Sequence, residues 1–169
     1  MQRKSFAGMD CSIAKSLEEV GEWWSLLIVR ECTMGSSRFD EFQSELGISR
    51  NMLTARLTRL TELGIIERFP HPDRANTDGY RLTRKGEDLY PVVVALMQWG
   101  DRWLVPDGKP WLTLVEDATD RPIETIAVQA KGGGKPLSFR DVRFAPGPSA
   151  TKGMRTVIDA RNERILGHD

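Results

Sequence analysis

The sequence is poor in the residues that build metal sites and disulfide frameworks. Its 169 residues hold two cysteines, Cys11 and Cys32, and two histidines, His71 and His168. No C-x-x-C pair occurs, which argues against a structural zinc site of the usual thiolate kind within one chain. The opening stretch, MQRKSFAGMDCS, has no apolar core that would read as a signal peptide. Two isolated thiols without such a signal fit a reducing cytoplasm. No apolar run approaches the roughly 20 residues of a membrane span, so no membrane partner is expected. An excess of either charge is missing as well, with 24 Lys+Arg against 24 Asp+Glu. A neutral total neither demands nor excludes nucleic acid, because binding depends on local patches. G-x-S-x-G, P-loop, G-x-G-x-x-G and metal-triad patterns are also absent. His71 sits among prolines and His168 is one residue from the end. Neither has an evident partner that would make it a general base, so neither an enzyme nor a cofactor is expected.

What is present is enough apolar material for a core, with 40% hydrophobic and 28% charged residues. Residues 12–20 read as a short amphipathic helix, with Ser12 as N-cap and Gly21 just past its end. EWWSLLIVRECT, 22–33, is apolar on most faces and reads as a buried helix. A third helix over 38–46 places Phe39, Phe42 and Leu46 on one stripe. After the turn at Gly47, Ser49 is a good N-cap for a helix over 50–63, where Leu53, Leu57, Leu60 and Leu63 recur at helical spacing. IIERF and YRLT read as two strands around the polar loop PHPDRANTDG. A helix-turn-helix followed directly by a hairpin is a winged helix. Thr83 can cap a last long helix, 84–104, in which Leu89, Val92, Leu96, Trp99 and Trp103 form a seam at steps of three and four. Pro91 lies inside it and is expected to reorganise its first turns.

The second helix of a helix-turn-helix presents its N-terminal side chains to the major groove. Here the outward positions are Arg50, Asn51, Thr54, Ala55 and Thr58, and from Leu46 to Thr61 there is no acidic residue. Arg can bond guanine bidentately and Asn adenine. Ser49 and Thr54 can reach phosphate or a base edge. Arg56 and Arg59 lie to the side, where a phosphate or a neighbouring acid is the natural partner. Arg38 and Arg74 are further DNA-binding candidates, and Arg68, Arg81, Arg84 and Lys85 give the hairpin region a basic bias over Asp73 and Asp78. Three arginines on a helix are in themselves an ordinary solvated face; the basic hairpin beside them gives them a target.

The motifs VGEWWSLLI (20–28), RFDEF (38–42), GIS (47–49), MLTARLTRL (52–60), ELGIIER (62–68) and YRLTRKGEDLYPV (80–92), with Cys11 and Trp99, resemble the HxlR-type family of bacterial transcriptional regulators, winged-helix relatives of the MarR group. Order and spacing agree over about 95 residues, although most of the family has a lysine where this chain has Glu22 or Trp23. The resemblance implies an α+β fold: a winged helix-turn-helix domain with a long C-terminal dimerisation helix over 1–104, followed by a small β-rich appendage over 105–169. It implies a homodimer that binds double-stranded DNA at a pseudo-palindromic operator, most commonly as a repressor. The 89-to-103 seam supports the homodimer independently. The alternative is a winged-helix adaptor that binds protein rather than DNA.

Two features are weighed as routes of regulation, against the commoner roles of an inert thiol at a helix start and of aromatic packing in a core or interface. Cys11 lies where some relatives carry an oxidant-sensing thiol, and the aromatics Trp23, Trp24, Trp99 and Trp103 invite a small-molecule effector between the second and last helices. In the appendage, WLTLVED, IETIAVQA and LSFRDVRF alternate like strands, and a weak pattern from 151 onward reads as a terminal helix. In rhythm this segment resembles a zinc-ribbon module of longer relatives. The ligand positions hold Glu116, Thr119 or Ala118, Gln129 and Gly132, so no thiolate remains and no metal is expected.

Overall fold

The computed structural model describes residues 5–6, 8–70 and 78–166. Its elements run α1 (Ser12–Val20), α2 (Trp23–Thr33), α3 (Phe39–Leu46), α4 (Arg50–Glu62), β1 (Ile66–Pro70), β2 (Asp78–Leu82), α5 (Arg84–Glu87), α6 (Tyr90–Trp103), a 3-10 turn at Pro106–Gly108, and α7 (Lys152–Leu166). The strands pair antiparallel, with Ile66 opposite Leu82, Arg68 opposite Tyr80 and Pro70 opposite Asp78. This is the expected winged helix-turn-helix order. The polar loop between the strands, with His71, Asp73 and Arg74, lies outside the described residues, as do Arg3, Lys4 and His168.

The core is built where the periodicity placed it. Phe42, Ile28, Val29, Leu53, Leu57, Leu60, Ile65 and Ile66 are fully buried, so α2, α3 and α4 and the root of the hairpin share one apolar cluster. Gly47 takes a left-handed conformation, φ 60° and ψ 21°, and closes α3 through its N–H to the Gln43 carbonyl. That conformation disfavours any residue with a Cβ, and it sets the tight turn into α4. Ser49 caps α4 by accepting from the Met52 N–H at 3.4 Å. Gly86 lies against the Ile65 carbonyl, so closely that a Cβ there would overlap it. This contact seats α5 on the base of the wing.

Three expectations for the helices are corrected. The N-cap of α1 is Cys11, with extended backbone, and Ser12 is the first helical residue. The second helix is not buried on most faces: Ser25, Ile28, Val29 and Glu31 face inward, while Trp23 is 88% exposed. The last helix is two. Thr83 caps α5 by accepting from the Gly86 N–H, and the chain restarts at Tyr90 with proline in the first turn of α6. Pro91 has no N–H to give to an upstream carbonyl, and its fixed φ suits a helix start.

The chain divides into two compact units, 1–123 and 124–169. Where strands were expected beyond residue 110, no strand forms among the described residues. In the first unit a single bridge joins Val115 to Pro122, flanked by Glu116 N–H to Arg121 O and Ile123 N–H to Leu114 O. In the second unit a glycine turn over 132–134 is spanned by a backbone bond from Leu137 N–H to Val128 O, with Gly133 N–H to Ala130 O inside it. The side chains there find no core, as Val128 and Phe139 are 65% and 80% exposed, and alternation without burial does not hold a ladder. The terminal helix is present as α7. Its Asn162 amide both accepts from the Phe144 N–H at 3.0 Å and donates to the Phe144 carbonyl at 2.7 Å.

Candidate nucleic-acid interface

The helix-turn-helix puts α4 on the surface with one face down. Leu53, Leu57 and Leu60 are buried, and Arg50, Asn51, Thr54, Ala55 and Thr58 are exposed. The expected outward face is therefore the observed one. Its head is ordered by contacts that leave donors available. The Arg50 guanidinium stacks over the Phe39 ring, 5.1 Å from its centroid, with no acid partner among the described residues. Stacking restricts the side chain without consuming its N–H groups. Thr54 donates its hydroxyl to the Arg50 carbonyl at 2.9 Å, which leaves its oxygen free to accept.

The remaining arginines sort themselves by partner. Arg38 reaches Asp40 at 3.0 Å and Glu41 at 3.2 Å. Arg56 is turned back to Glu22, 3.4 Å away at the start of α2, and its Nε is buried without a hydrogen-bond partner. The pair ties the start of α2 to α4. Arg59 pairs with Glu62 at 3.6 Å. On the wing, Arg81 pairs across the strands with Glu67 at 2.7 Å, while Arg68 stacks over Tyr80 at 5.7 Å. Lys85 holds Glu19 at 2.7 Å, and Arg84 lies near Glu87 and Asp88. Exposed pairs of this kind are worth at most about 1 kcal/mol, so a phosphate can displace the acid.

Two residues outside the expected site matter for it. Phe39 was visible only as a core-stripe residue; its role as a platform for Arg50 depends on the angle between α3 and α4, which spacing does not show. Arg68 appeared as one of several wing cations, and only its stack on Tyr80 singles it out. The wing is fixed to the helices by Tyr80 N–H to Ser37 O at 2.7 Å.

Glu41 locks the entry to α3. Its carboxylate accepts from the N–H groups of Ser37 and Arg38, both at 2.9 Å. These backbone bonds, with Arg38 nearby, hold its carboxyl below the usual carboxylate range. A depressed carboxyl contributes stability above its unfolded value, about 4.3, and that contribution is lost as pH falls through the folded value. Glu41→Gln is expected to cost about 1 kcal/mol near neutral pH, the usual worth of a cap. The gap between wild type and variant should close on acidification below the carboxylate range, as read by urea melts at several pH values.

Cys11 is exposed. Cys32 packs against the core, and burial pushes its thiol up to about 12, with Glu31 adding to the shift. Val92, Leu96, Trp99 and Trp103 of the seam are exposed, and Leu89 is half-buried. A cavity does lie between α2 and α6, but Trp23, Trp24, Trp99 and Trp103 do not line it. Among the described residues no cluster of acids, cysteines or histidines is placed to hold a metal, and no helix is long and apolar enough to cross a membrane.

The architecture defines a helix-turn-helix DNA-binding fold. Residues 19–107 match the family model described as HxlR-like helix-turn-helix. A regulator of Mycobacterium tuberculosis (strain CDC 1551 / Oshkosh), MT3179, described as an uncharacterised HTH-type transcriptional regulator, is 41% identical over 142 residues, which is 81% of this chain and 86% of that protein. The crystal structure of PA1607, described as a candidate transcription factor, superposes with a TM-score of 0.77 at 37% identity, covering 84% of this chain and 99% of that one. PA1374 of Pseudomonas aeruginosa, described in the same terms, gives 0.59 at 40% identity over 87% and 99%. The redox regulator HypR in its oxidised form gives 0.50 at 29% identity over 54% and 95%. The chain belongs to the HxlR-like helix-turn-helix family and is a transcriptional regulator with a DNA-binding fold. Its likeness to MT3179, PA1607 and PA1374 runs well beyond the 19–107 match, so part of the segment after α6 is shared with them.

Proposed function

We propose that the chain is a homodimeric repressor that reads a pseudo-palindromic operator, with α4 in the major groove and the wing on flanking DNA. The observation that carries this reading is the head of α4. Arg50 is stacked with no acid partner among the described residues, and Asn51 is exposed beside it, over a face pinned by three buried leucines. In this reading Arg50 and Asn51 meet base edges, and Ser49 and Thr54 meet phosphate or a base edge. Arg68 and Arg74 serve the flanking backbone. Arg38 and Arg56 keep their acids in the free protein and reach phosphate by exchanging them. Two recognition helices related by a two-fold axis imply half-sites about one helical turn apart.

The test is a gel shift on the chain's own upstream region and on randomised duplexes, at stated salt. Binding is expected with a log-log salt slope of several units, because several phosphates are neutralised. Affinity independent of salt, or no duplex bound, sinks the reading in favour of a protein-binding adaptor.

Cys11 is proposed as an oxidant-responsive thiol, because it is exposed at the start of α1. Peroxide is expected to release DNA from the wild type and not from Cys11→Ser. Equal release from both proteins removes Cys11 from the regulation.

A further inference from the structure

The cavity between α2 and α6 measures about 490 Å³ and is roofed by the chain that follows α6. Its volume falls in the range of small-molecule sites, which bury most of a drug-sized ligand. The walls are apolar, including Val93, Met97, Trp111 and Leu114. Two charged residues break them, Arg30 from α2 and Asp101 from α6. They are not equivalent. The Arg30 guanidinium is already committed to Glu31, donating to its carboxylate through both Nε and Nη2. Asp101 is partly buried, and its carboxylate has no partner among the described residues. Among the described residues the pocket thus offers one unneutralised charge, negative, in an otherwise apolar lining that also includes Tyr90 and Trp111.

We propose that this cavity binds a lipophilic cation, an apolar body carrying a single positive centre, with the charge at Asp101 and the body against the apolar walls. A carboxylate attracts a desolvated cation, and the apolar walls take up its body. An anion would meet Asp101 uncompensated and would find Arg30 occupied. A purely apolar ligand would leave Asp101 covered and unpaired, which is costly. The site also couples to DNA by its position. It is walled by α2, which packs on the helix-turn-helix, and by α6, whose Leu96 belongs to both the cavity lining and the exposed seam. A ligand held between them favours one spacing of the two recognition helices. This regulatory step rests on the operator-binding reading above.

Tetraphenylphosphonium and tetraphenylborate have the same shape and opposite charge, and serve as probes. Calorimetry on the full chain is expected to show the phosphonium binding at least about tenfold more tightly than the borate. Asp101→Asn should remove most of that preference, and Trp111→Ala, a change at an 81% exposed residue, should weaken the phosphonium. Circular dichroism controls for folding. Equal binding of the two ions, no binding of the phosphonium, or a preference unchanged in Asp101→Asn overturns the proposal. So does displacement of the probe by dimerisation, which would make a second copy the occupant. A DNA titration with and without the phosphonium separates the two readings. Phosphonium bound with no duplex recognised keeps the pocket and removes the operator. Duplex recognised with no phosphonium bound does the reverse.

Discussion

Arg50→Ala is expected to weaken binding to the specific operator by roughly ten- to a hundredfold, while the fold and the affinity for unrelated DNA change little. A good bidentate contact between arginine and guanine discriminates by about 1–3 kcal/mol. Arg50 can deliver a contact of that quality because its restriction is already in place. Its guanidinium rests on Phe39, so less side-chain freedom is lost on binding than for an arginine free in water. Phe39→Leu therefore makes an instructive companion. It keeps an apolar side chain at the stripe but removes the ring, and it should lower specific affinity by a smaller factor through Arg50. Competition titrations with operator and scrambled duplex check both. If Arg50→Ala weakens the two duplexes equally, Arg50 is a phosphate contact and base reading passes to Asn51 or Thr54. Arg56→Ala should behave differently. It breaks the tie to Glu22 and leaves a gap at a partly buried position, so it should lower stability, and the loss of a phosphate contact should weaken operator and scrambled duplex alike.

How much of this was legible from the sequence differs by level. The helix-turn-helix and wing were, because leucines at helical spacing, Gly47 and Ser49 are local signals that agree with the tertiary packing. The outward face of α4 followed at once, since three buried leucines leave only one face for water. The split between α5 and α6 was half legible: Pro91 announced a disturbance, but not that Thr83 would cap a separate short helix. The partners of the arginines were not legible at all. Glu22 lies 34 residues before Arg56, and Glu67 lies 14 before Arg81, so only the folded chain brings them together. The segment after residue 110 misled because alternation signals a strand only where one face is buried. Ile126, Val128 and Phe139 alternate with polar residues yet stay exposed. The cavity between α2 and α6 was expected on the evidence of tryptophans that turned out not to line it.

Trp99→Asp is expected to abolish the dimer and to lower affinity for the two-half-site operator by about a hundredfold or more. Val92, Leu96, Trp99 and Trp103 lie at helical spacing along α6 and are 46%, 50%, 55% and 63% exposed in the single chain. Ile13 and Leu17 of α1 are exposed as well, at 71% and 47%. A monomer rarely leaves so much large apolar surface uncovered, and each such side chain stabilises by about 1.5–3 kcal/mol when buried. A second copy supplies the same surface, as a two-fold interface requires. A charge placed among these side chains must be desolvated or the interface must open, and opening is the lower-energy outcome. The DNA consequence follows from linkage. In the dimer the second α4 is presented to its half-site at high effective concentration, which commonly multiplies affinity by 10²–10⁴. The monomer forfeits that factor but keeps its own contacts. Trp99→Asp should therefore match wild type on a single half-site at high protein concentration, and lose on the full operator alone. Sedimentation velocity reports the assembly and fluorescence anisotropy the two duplexes. If Trp99→Asp still sediments as a dimer, the seam packs elsewhere. If it is monomeric yet binds the full operator as wild type does, the two half-sites are read independently and the two-fold operator is wrong.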